Sequence, residues 1–246
     1  VRYSGDIVAA VYENVIDCTV TDALSERAII APRRFHVAEL NHRVLQRMEG
    51  AEKIYTSVDI AITEDEDDAA HYPVEFLNKC EGPGLPPHEL HLKEGAIVML
   101  LKNLDVKNAL CNGTRCIVRS CGRHVLHCIF ACGSRKMQTI LIPRIHNYFD
   151  APGGAAFRLR RTQFPAALSF AMSINKAQGQ SFEKVGVCLP DPVFAHGQLY
   201  VALSRVRAKE GLIVANPAES KKISYIQRYS NDRSNEDKRG SQRRSS

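Results

Sequence analysis

The 246-residue chain is 44% hydrophobic and 24% charged, the composition of an ordinary globular protein with one large or two smaller domains. No apolar run reaches the roughly 20 residues of a membrane-spanning helix, and no N-terminal signal is recognisable. The net charge of +6 is compatible with a nucleic-acid partner without requiring one. Because the sequence begins at Val1 rather than Met, we expect a fragment of a longer protein.

The first part of the chain has an α/β pattern. A short buried-strand run, Ala28 to Ala31, is broken by Pro32, and apolar residues recur at helical spacing from Phe35 to Met48. This order of strand, loop and helix predicts one half of an α/β unit. The loop carries Arg33 and Arg34, which are either solvated charges or ligand contacts.

An apolar strand in "YTSVDIAITEDEDDAAHYPVEFLN" runs into a block of acidic residues. We reject a Mg²⁺-binding Walker B strand, because the acidic run is long and no phosphate-binding loop precedes it. A solvated loop explains the run better. The Pro/Gly-rich "CEGPGLPPHELHL" then predicts a hinge and a domain boundary.

Four short strand-like runs follow, separated by Gly, Asn-Gly or basic turns: "GAIVMLLKNL", "NGTRCIVRSC", "HVLHCIFACG" and "MQTILIPRI". Such regular short strands predict a small β-barrel. Five of the eight cysteines fall here, at 111, 116, 121, 128 and 132. Their intervals fit no standard zinc pattern, so we predict reduced, partly buried thiols and no metal site.

The α/β pattern returns after the barrel. "PAALSFAMSINKAQGQS" is expected to be an extended segment leading into a polar helix start, and "KVGVCLP" a buried strand. "HGQLYVALSRVRAKEG" predicts a helix that ends at Gly211, with "GLIVAN" as the last strand. The Ser/Arg/Lys-rich end, 217–246, predicts a basic disordered tail.

The chemistry of a nucleotide hydrolase is incomplete in this sequence. No G-x-x-x-x-G-K-[ST] loop is present, so the chain alone cannot hold the β- and γ-phosphates of ATP. By its register Arg205 is expected to project from its helix away from the core, where it could act as an arginine finger or form a surface ion pair. The Ser/Lys/Gln/Gly loop at 173–180 is suited to phosphate or nucleic-acid backbone contacts.

The segment "SFAMSINKAQGQSFEKVGVCLPDPVFAHGQLYVALSRV" resembles motifs V and VI of the Pif1/RecD-like superfamily-1 DNA helicases, and most closely the helicases of Helitron-type transposons. "AIIAPRRFHVAELN", "YPVEFLN", "GLPPHELHLKEGAIVMLLKNLD" and "LCNGTR" resemble the same family in the same order. The resemblance covers roughly residues 1 to 215.

The resemblance implies an α/β fold: a second RecA-like helicase lobe with an inserted small SH3-like β-barrel. The lobe would occupy 1–86 and 148–216, the barrel 87–147 and the tail 217–246. The family's first lobe, which carries the phosphate-binding loop, would be missing, so ATP and Mg²⁺ would bind only with that lobe.

The resemblance also implies roles for individual residues. Arg205 matches the catalytic arginine that reaches the γ-phosphate, whereas Asn175 and Ala177 stand where the family more often has His and Ser. The implied ATP-binding residues are Gln178, Gly179 and one of Arg33 and Arg34. The implied DNA contacts are Ser173, Asn175, Lys176, Thr114 and Arg115, of which Thr114 and Arg115 either grip DNA or shape a turn.

The expected function is that of the C-terminal portion of an ATP-dependent DNA helicase that translocates on single-stranded DNA in the nucleus. Its partners would be single-stranded DNA and the missing lobe, with no membrane partner. The alternative is a non-catalytic single-stranded nucleic-acid-binding relic of a transposon helicase. A zinc-dependent binding module would rest on the Cys/His cluster alone.

Overall fold

A computed structural model describes residues 2–3, 5–13, 16, 21–64, 71–150, 156–189 and 197–215. The expected basic tail lies outside these residues, as does most of the acidic run. No helix in the described part of the chain is long and apolar enough to cross a membrane.

The helices are α1 Ile7–Tyr12, α2 Thr21–Ser25, α3 Arg34–Arg47, α4 Val74–Asn78 and α5 Gln198–Leu203, with a 3₁₀ turn at Lys209–Gly211. The first strands are β1 Arg2–Tyr3, β2 Arg27–Ala31, β3 Lys53–Thr56, β4 Val58–Ile62, β5 Glu89–Leu92, β6 Ile97–Leu100, β7 Arg115–Cys121 and β8 Val125–Phe130. The remaining strands are β9 Thr139–Pro143, β10 Ile145–Asp150, β11 Arg158–Gln163, β12 Ala166–Leu168, β13 Ala171–Ser173, β14 Lys184–Cys188 and β15 Leu212–Ala215.

The α/β part is a parallel sheet in the order β1-β15-β14-β2-β13. Alternate residues of β2 enter different cores: Ile29 packs with α1 and α3, whereas Ile30 packs with α5 and the chain after β13. Both faces of the strand are therefore buried, which explains its continuous apolar sequence. The predicted strand, loop and helix are confirmed as β2 and α3.

The four predicted strand runs are confirmed as β6 to β9, but the barrel is not. With β12 they form an antiparallel sheet in the order β12-β6-β7-β8-β9, and β12 and β9 are not paired with each other. The sheet is therefore open among the described residues. Its core is completed from outside the sheet, by Tyr55 of β3, by Leu90 and Leu92 of β5, and by Phe164.

The antiparallel region begins at Lys53 and ends at Leu168, so it extends beyond the expected 87–147 on both sides. The expected hinge lies inside it. The backbone carbonyls of Cys80 and Pro86 each accept a hydrogen bond from Arg161, at 3.1 and 3.0 Å. These buried contacts hold the Pro/Gly-rich segment against the sheet.

The inner face of the sheet β10-β11-β4 contains a buried ion pair. Arg161 is 1% exposed, and its Nε and Nη2 donate to both carboxylate oxygens of Asp59 at 2.7–3.1 Å. Its Nη groups also donate to the carbonyls of Leu77 and Asn78. Every donor of this buried guanidinium therefore has an acceptor, as a buried ion pair requires.

The helix expected to reach Gly211 ends at Leu203. Beyond it come a turn and an isolated bridge between Val206 and Phe182. At this bridge the Phe182 amide donates to the Arg205 carbonyl, and the Arg207 amide donates to the Phe182 carbonyl. Residues 174–179 form turns rather than the expected helix start. Both departures come from contacts between segments that are distant in sequence.

Two of the clustered cysteines, Cys116 and Cys128, are buried in β7 and β8, as expected of thiols used as apolar residues. Burial raises the pKa of the Cys128 thiol to about 12. Cys111 and Cys121 are half-buried and Cys132 is exposed. Among the described residues no group of His, Cys, Asp or Glu side chains is placed to hold a metal ion.

Arg161→Ala should lower the free energy of unfolding by about 3–5 kcal/mol, because it leaves the Asp59 carboxylate buried and unpaired. Arg158→Ala is the matched control: Arg158 lies on the same strand but is exposed, so the loss should stay within about 0.5 kcal/mol. Urea denaturation followed by circular dichroism measures both. Equal losses would contradict the structural role of Arg161.

Candidate nucleic-acid interface

A groove of about 490 Å³ lies between the turn that precedes β7 and the loop that follows β13. None of the side chains that line it is acidic. The lining residues are Asn112, Gly113, Thr114, Asn175, Lys176, Gln178, Gly179 and Gln180.

The turn is shaped by its own residues. Gly113 has φ +93°, a left-handed conformation that favours glycine, and its amide donates to the Leu100 carbonyl at 2.8 Å. The Thr114 hydroxyl donates to the Ala109 carbonyl and accepts from the Cys111 amide. Thr114 therefore lines the groove and also fixes the turn.

The loop is folded on itself and anchored in the core. The Ala177 amide donates to the Ser173 carbonyl at 3.0 Å, and the Ala177 side chain is buried. Gly179 has φ +79° and makes the next bend. Asn175 and Gln178 are consequently exposed on the groove side, whereas Ser173 is half-buried at the end of β13 and is not among the lining residues.

Lys176 joins the two walls of the groove. Its Nζ donates to the Asn112 side-chain oxygen at 2.6 Å. A lysine in a groove without carboxylates gives it a positive character, and amide side chains beside it can donate to phosphate oxygens. The structure thus brings together the predicted residues Thr114, Asn175, Lys176, Gln178 and Gly179, and it adds Asn112, Gly113 and Gln180.

Arg115, expected either to contact DNA or to shape the turn, is buried and does not line the groove. It is 1% exposed, and its Nη groups donate to the carbonyls of Ser25 (2.7 Å), Arg27 (3.2 Å) and Ser169 (3.0 Å). Its guanidinium lies 5.0 Å from the centre of the Phe182 ring. Burial lowers the pKa of Arg115, yet the three carbonyls and the ring favour the charged form.

Arg205 does not project freely as expected; its half-buried side chain folds back on its own helix and on the loop. Its Nε donates to the Val201 carbonyl, and Nη2 donates to the Ser204 hydroxyl. Its Nη1 donates to the Gln180 carbonyl at 3.3 Å. Of the five N–H groups of a guanidinium, these bonds use three.

Gln180 links the groove to Arg205. Its carbonyl accepts from Arg205, and its side-chain amide donates to the Lys176 carbonyl at 3.1 Å. The sequence reasoning missed this residue although it stands in the same loop. The bend at Gly179 directs the Gln180 side chain back towards Lys176, and the sequence alone does not reveal this path.

Arg33 and Arg34 lie away from Arg205. Both are exposed where the chain leaves the carboxyl end of β2. The Arg205 carbonyl accepts from the Phe182 amide. The amide of the next residue, Glu183, donates to the Glu26 carbonyl at the amino end of β2. The five residues of β2 separate the two places by roughly 16 Å, so the structure does not bring these arginines together.

Comparison with known proteins shows which proteins this chain is similar to. Residues 75–120 match the family model described as DNA helicase Pif1, 2B domain. The chain is 32% identical over 216 residues to the ATP-dependent DNA helicase PIF1 of Danio rerio, and 36% identical over 210 residues to that of Homo sapiens. These alignments cover 87% and 81% of this chain but only 31% and 29% of the relatives.

Solved structures of Pif1 helicases also match this chain. The Pif1 helicase from Candida albicans matches 84% of this chain, with a TM-score of 0.58 and 28% identity, over 50% of its own length. A Bacteroides Pif1 bound to ssDNA has the same fold, with a TM-score of 0.56 at 23% identity over 93% of this chain and 55% of its own. The chain is therefore similar to Pif1 helicases, and it spans about a third of the curated relatives it matches.

Arg115→Ala should lower the free energy of unfolding by about 3–5 kcal/mol, because it leaves a void and removes the donor to the buried carbonyls of Ser25 and Ser169. Arg119→Ala is the matched control, since Arg119 lies on the same strand but is exposed; its loss should stay within about 0.5 kcal/mol. Chemical denaturation measures the free energy of unfolding of both variants. If Arg115 were a surface ligand contact, the two variants would be equally stable.

Proposed function

From the relationship of this chain to the Pif1 helicase family, we propose that it is the C-terminal portion of an ATP-dependent DNA helicase that translocates on single-stranded DNA. It supplies DNA contacts and the arginine finger, Arg205, to a lobe that carries the phosphate-binding loop. The motif V and VI segments support a Helitron-type origin within the family.

The observation that carries this proposal is the continuous set of bonds from the groove to Arg205. Asn112 and Lys176 are bonded across the groove, Lys176 is bonded to Gln180, and Gln180 is bonded to Arg205. A site for a polyanion is thus connected to the residue suited to the γ-phosphate. A simple binding protein does not need this connection.

ATP and Mg²⁺ fit this chain only in part. Arg205 keeps two N–H groups that form no bond to any described residue, and these suit phosphate oxygens. The sequence contains no phosphate-binding loop, so the β-phosphate and the metal ion would be held by residues of the other lobe. ATP hydrolysis supplies the energy for translocation in such enzymes.

The role of this chain's residues follows from their bonds. When Arg205 turns towards a phosphate in the other lobe, its bond to the Gln180 carbonyl breaks. Gln180 then no longer holds the loop between Lys176 and the helix α5, and Lys176 can change its position in the groove. When Arg205 returns, the loop is restored, so the grip on DNA alternates with the position of Arg205.

The second candidate function is a single-stranded nucleic-acid-binding protein without catalysis, a relic of a transposon helicase. It is favoured by one observation: the sequence contains no phosphate-binding loop. The two functions differ when a family phosphate-loop lobe is added. The helicase portion would restore DNA-stimulated ATP hydrolysis that depends on Arg205, and the relic would not.

The purified chain should bind single-stranded DNA with steep salt dependence, and Lys176→Ala should weaken it. Loss of one phosphate contact makes the slope of log K against log[salt] shallower by about 0.7. Lys209→Ala is the control, because Lys209 is exposed in the 3₁₀ turn and does not line the groove. Fluorescence anisotropy with a labelled oligonucleotide measures both, and an unchanged slope in Lys176→Ala would remove Lys176 from the site.

A double-mutant cycle should detect the connection between Arg205 and the groove. We expect Arg205→Ala to weaken DNA binding by about fivefold, because Gln180 loses its anchor, but by less than about twofold when Lys176 is already alanine. Arg207→Ala removes a nearby charge that bonds to Glu26 instead and should have no such dependence on Lys176. Additive effects of Arg205 and Lys176 would show that the two ends of the loop act independently.

A further inference from the structure

The strand β4 exposes three aliphatic residues and buries a carboxylate between two of them. Val58 is 58% exposed, Ile60 42% and Ile62 39%, whereas Asp59 between them is 6% exposed. An edge strand normally places its aliphatic residues in the core and its charges in water. Exposed aliphatic residues arranged in a row, in contrast to scattered ones, indicate an interaction surface.

The orientation of β4 is fixed by the residues beneath it. Asp59 is bonded to Arg161, and on the same inner face Gln163 donates to the carbonyls of Tyr55 and His88. A shift of one residue would bury the aliphatic row but would expose Asp59 and leave Arg161 without its partner. The chain therefore keeps Val58, Ile60 and Ile62 exposed, although contact of apolar side chains with water is unfavourable.

The neighbouring strands add charge and an aromatic ring to this side of the sheet. In register with Ile60 stand Arg160 of β11 and then Tyr148 of β10; in register with Ile62 stands Arg158. Tyr148 is exposed, and the Arg158 guanidinium lies 5.2 Å from the centre of its ring. We call this surface the outer face; it consists of Val58, Ile60, Ile62, Arg158, Arg160, Thr162, His146, Tyr148 and Asp150.

The free edge of β4 borders the outer face. Among the described residues β4 pairs only with β11, so its other edge offers unpaired backbone groups to an added segment. Aliphatic residues beside arginine and tyrosine are also the composition of the centre of protein interfaces.

We propose that the outer face binds a segment of another protein that presents aliphatic side chains to Val58, Ile60 and Ile62 and carboxylates to Arg158 and Arg160. The charges favour an acidic segment, since Arg160 forms no ion pair among the described residues and Asp150 of the outer face is already paired with Arg158. A nucleic acid would satisfy the arginines but would leave the aliphatic row against a charged backbone. A second copy would bring arginines against arginines.

The experiment uses the full chain and a synthetic amphipathic helix of leucine and glutamate, labelled for fluorescence anisotropy, with a leucine–lysine helix as the opposite-charge probe. We expect the glutamate peptide to bind and the lysine peptide not to bind. Ile60→Asp should weaken glutamate-peptide binding by at least about tenfold, because it places a carboxylate against apolar and acidic groups. Arg158→Glu should also weaken it and should favour the lysine peptide.

Leu141→Asp is the matched control, because Leu141 is an exposed aliphatic residue on another edge strand, β9; it should leave binding unchanged. All three replaced side chains are exposed, so thermal unfolding should confirm that the variants are folded. The proposal is overturned if neither peptide binds, or if Ile60→Asp and Leu141→Asp behave alike. Self-association that depends on Ile60 would assign the outer face to a second copy, and loss of DNA binding in Ile60→Asp would assign it to nucleic acid.

Discussion

The buried guanidinium of Arg115 joins the two halves of this molecule. It begins β7 in the antiparallel sheet, yet its acceptors are the carbonyls of Ser25, Arg27 and Ser169, which flank the parallel sheet. A charge removed from water tolerates few geometries, because every missing acceptor costs free energy. The turn that precedes Arg115, and with it one wall of the groove, is therefore placed relative to the parallel sheet by this side chain.

A second buried arginine has a wider consequence. Arg161 and Asp59 occupy the inner face of the sheet β10-β11-β4 and hold the chain at Cys80 and Pro86. Because strand side chains alternate, polar residues inside require that their neighbours on β4 face outward. The outward orientation of Val58, Ile60 and Ile62 thus follows from the burial of Asp59.

Local patterns predicted what depends on neighbours in sequence. The apolar run before Pro32 and the helical spacing after it gave β2 and α3, and the four strand runs became β6 to β9. Whether an arginine side chain is exposed, buried or folded back could not be predicted in this way. Arg115 in "NGTR" and Arg205 in "LSR" have the sequence context of surface residues, but acceptors far along the chain decide that one is buried and the other folded back.

The loop after β13 lines the groove and then reaches the residues that contact Arg115 and Arg205. It leaves the carboxyl end of β13, contributes Asn175 to Gln180 to the groove, and reaches Phe182 just before the amino end of β14. Phe182 is there in contact with Arg115 through its ring and with Arg205 through its amide. The segments that carry both walls of the groove therefore meet at one buried phenylalanine, which contacts the side chain of Arg115 and the backbone of Arg205.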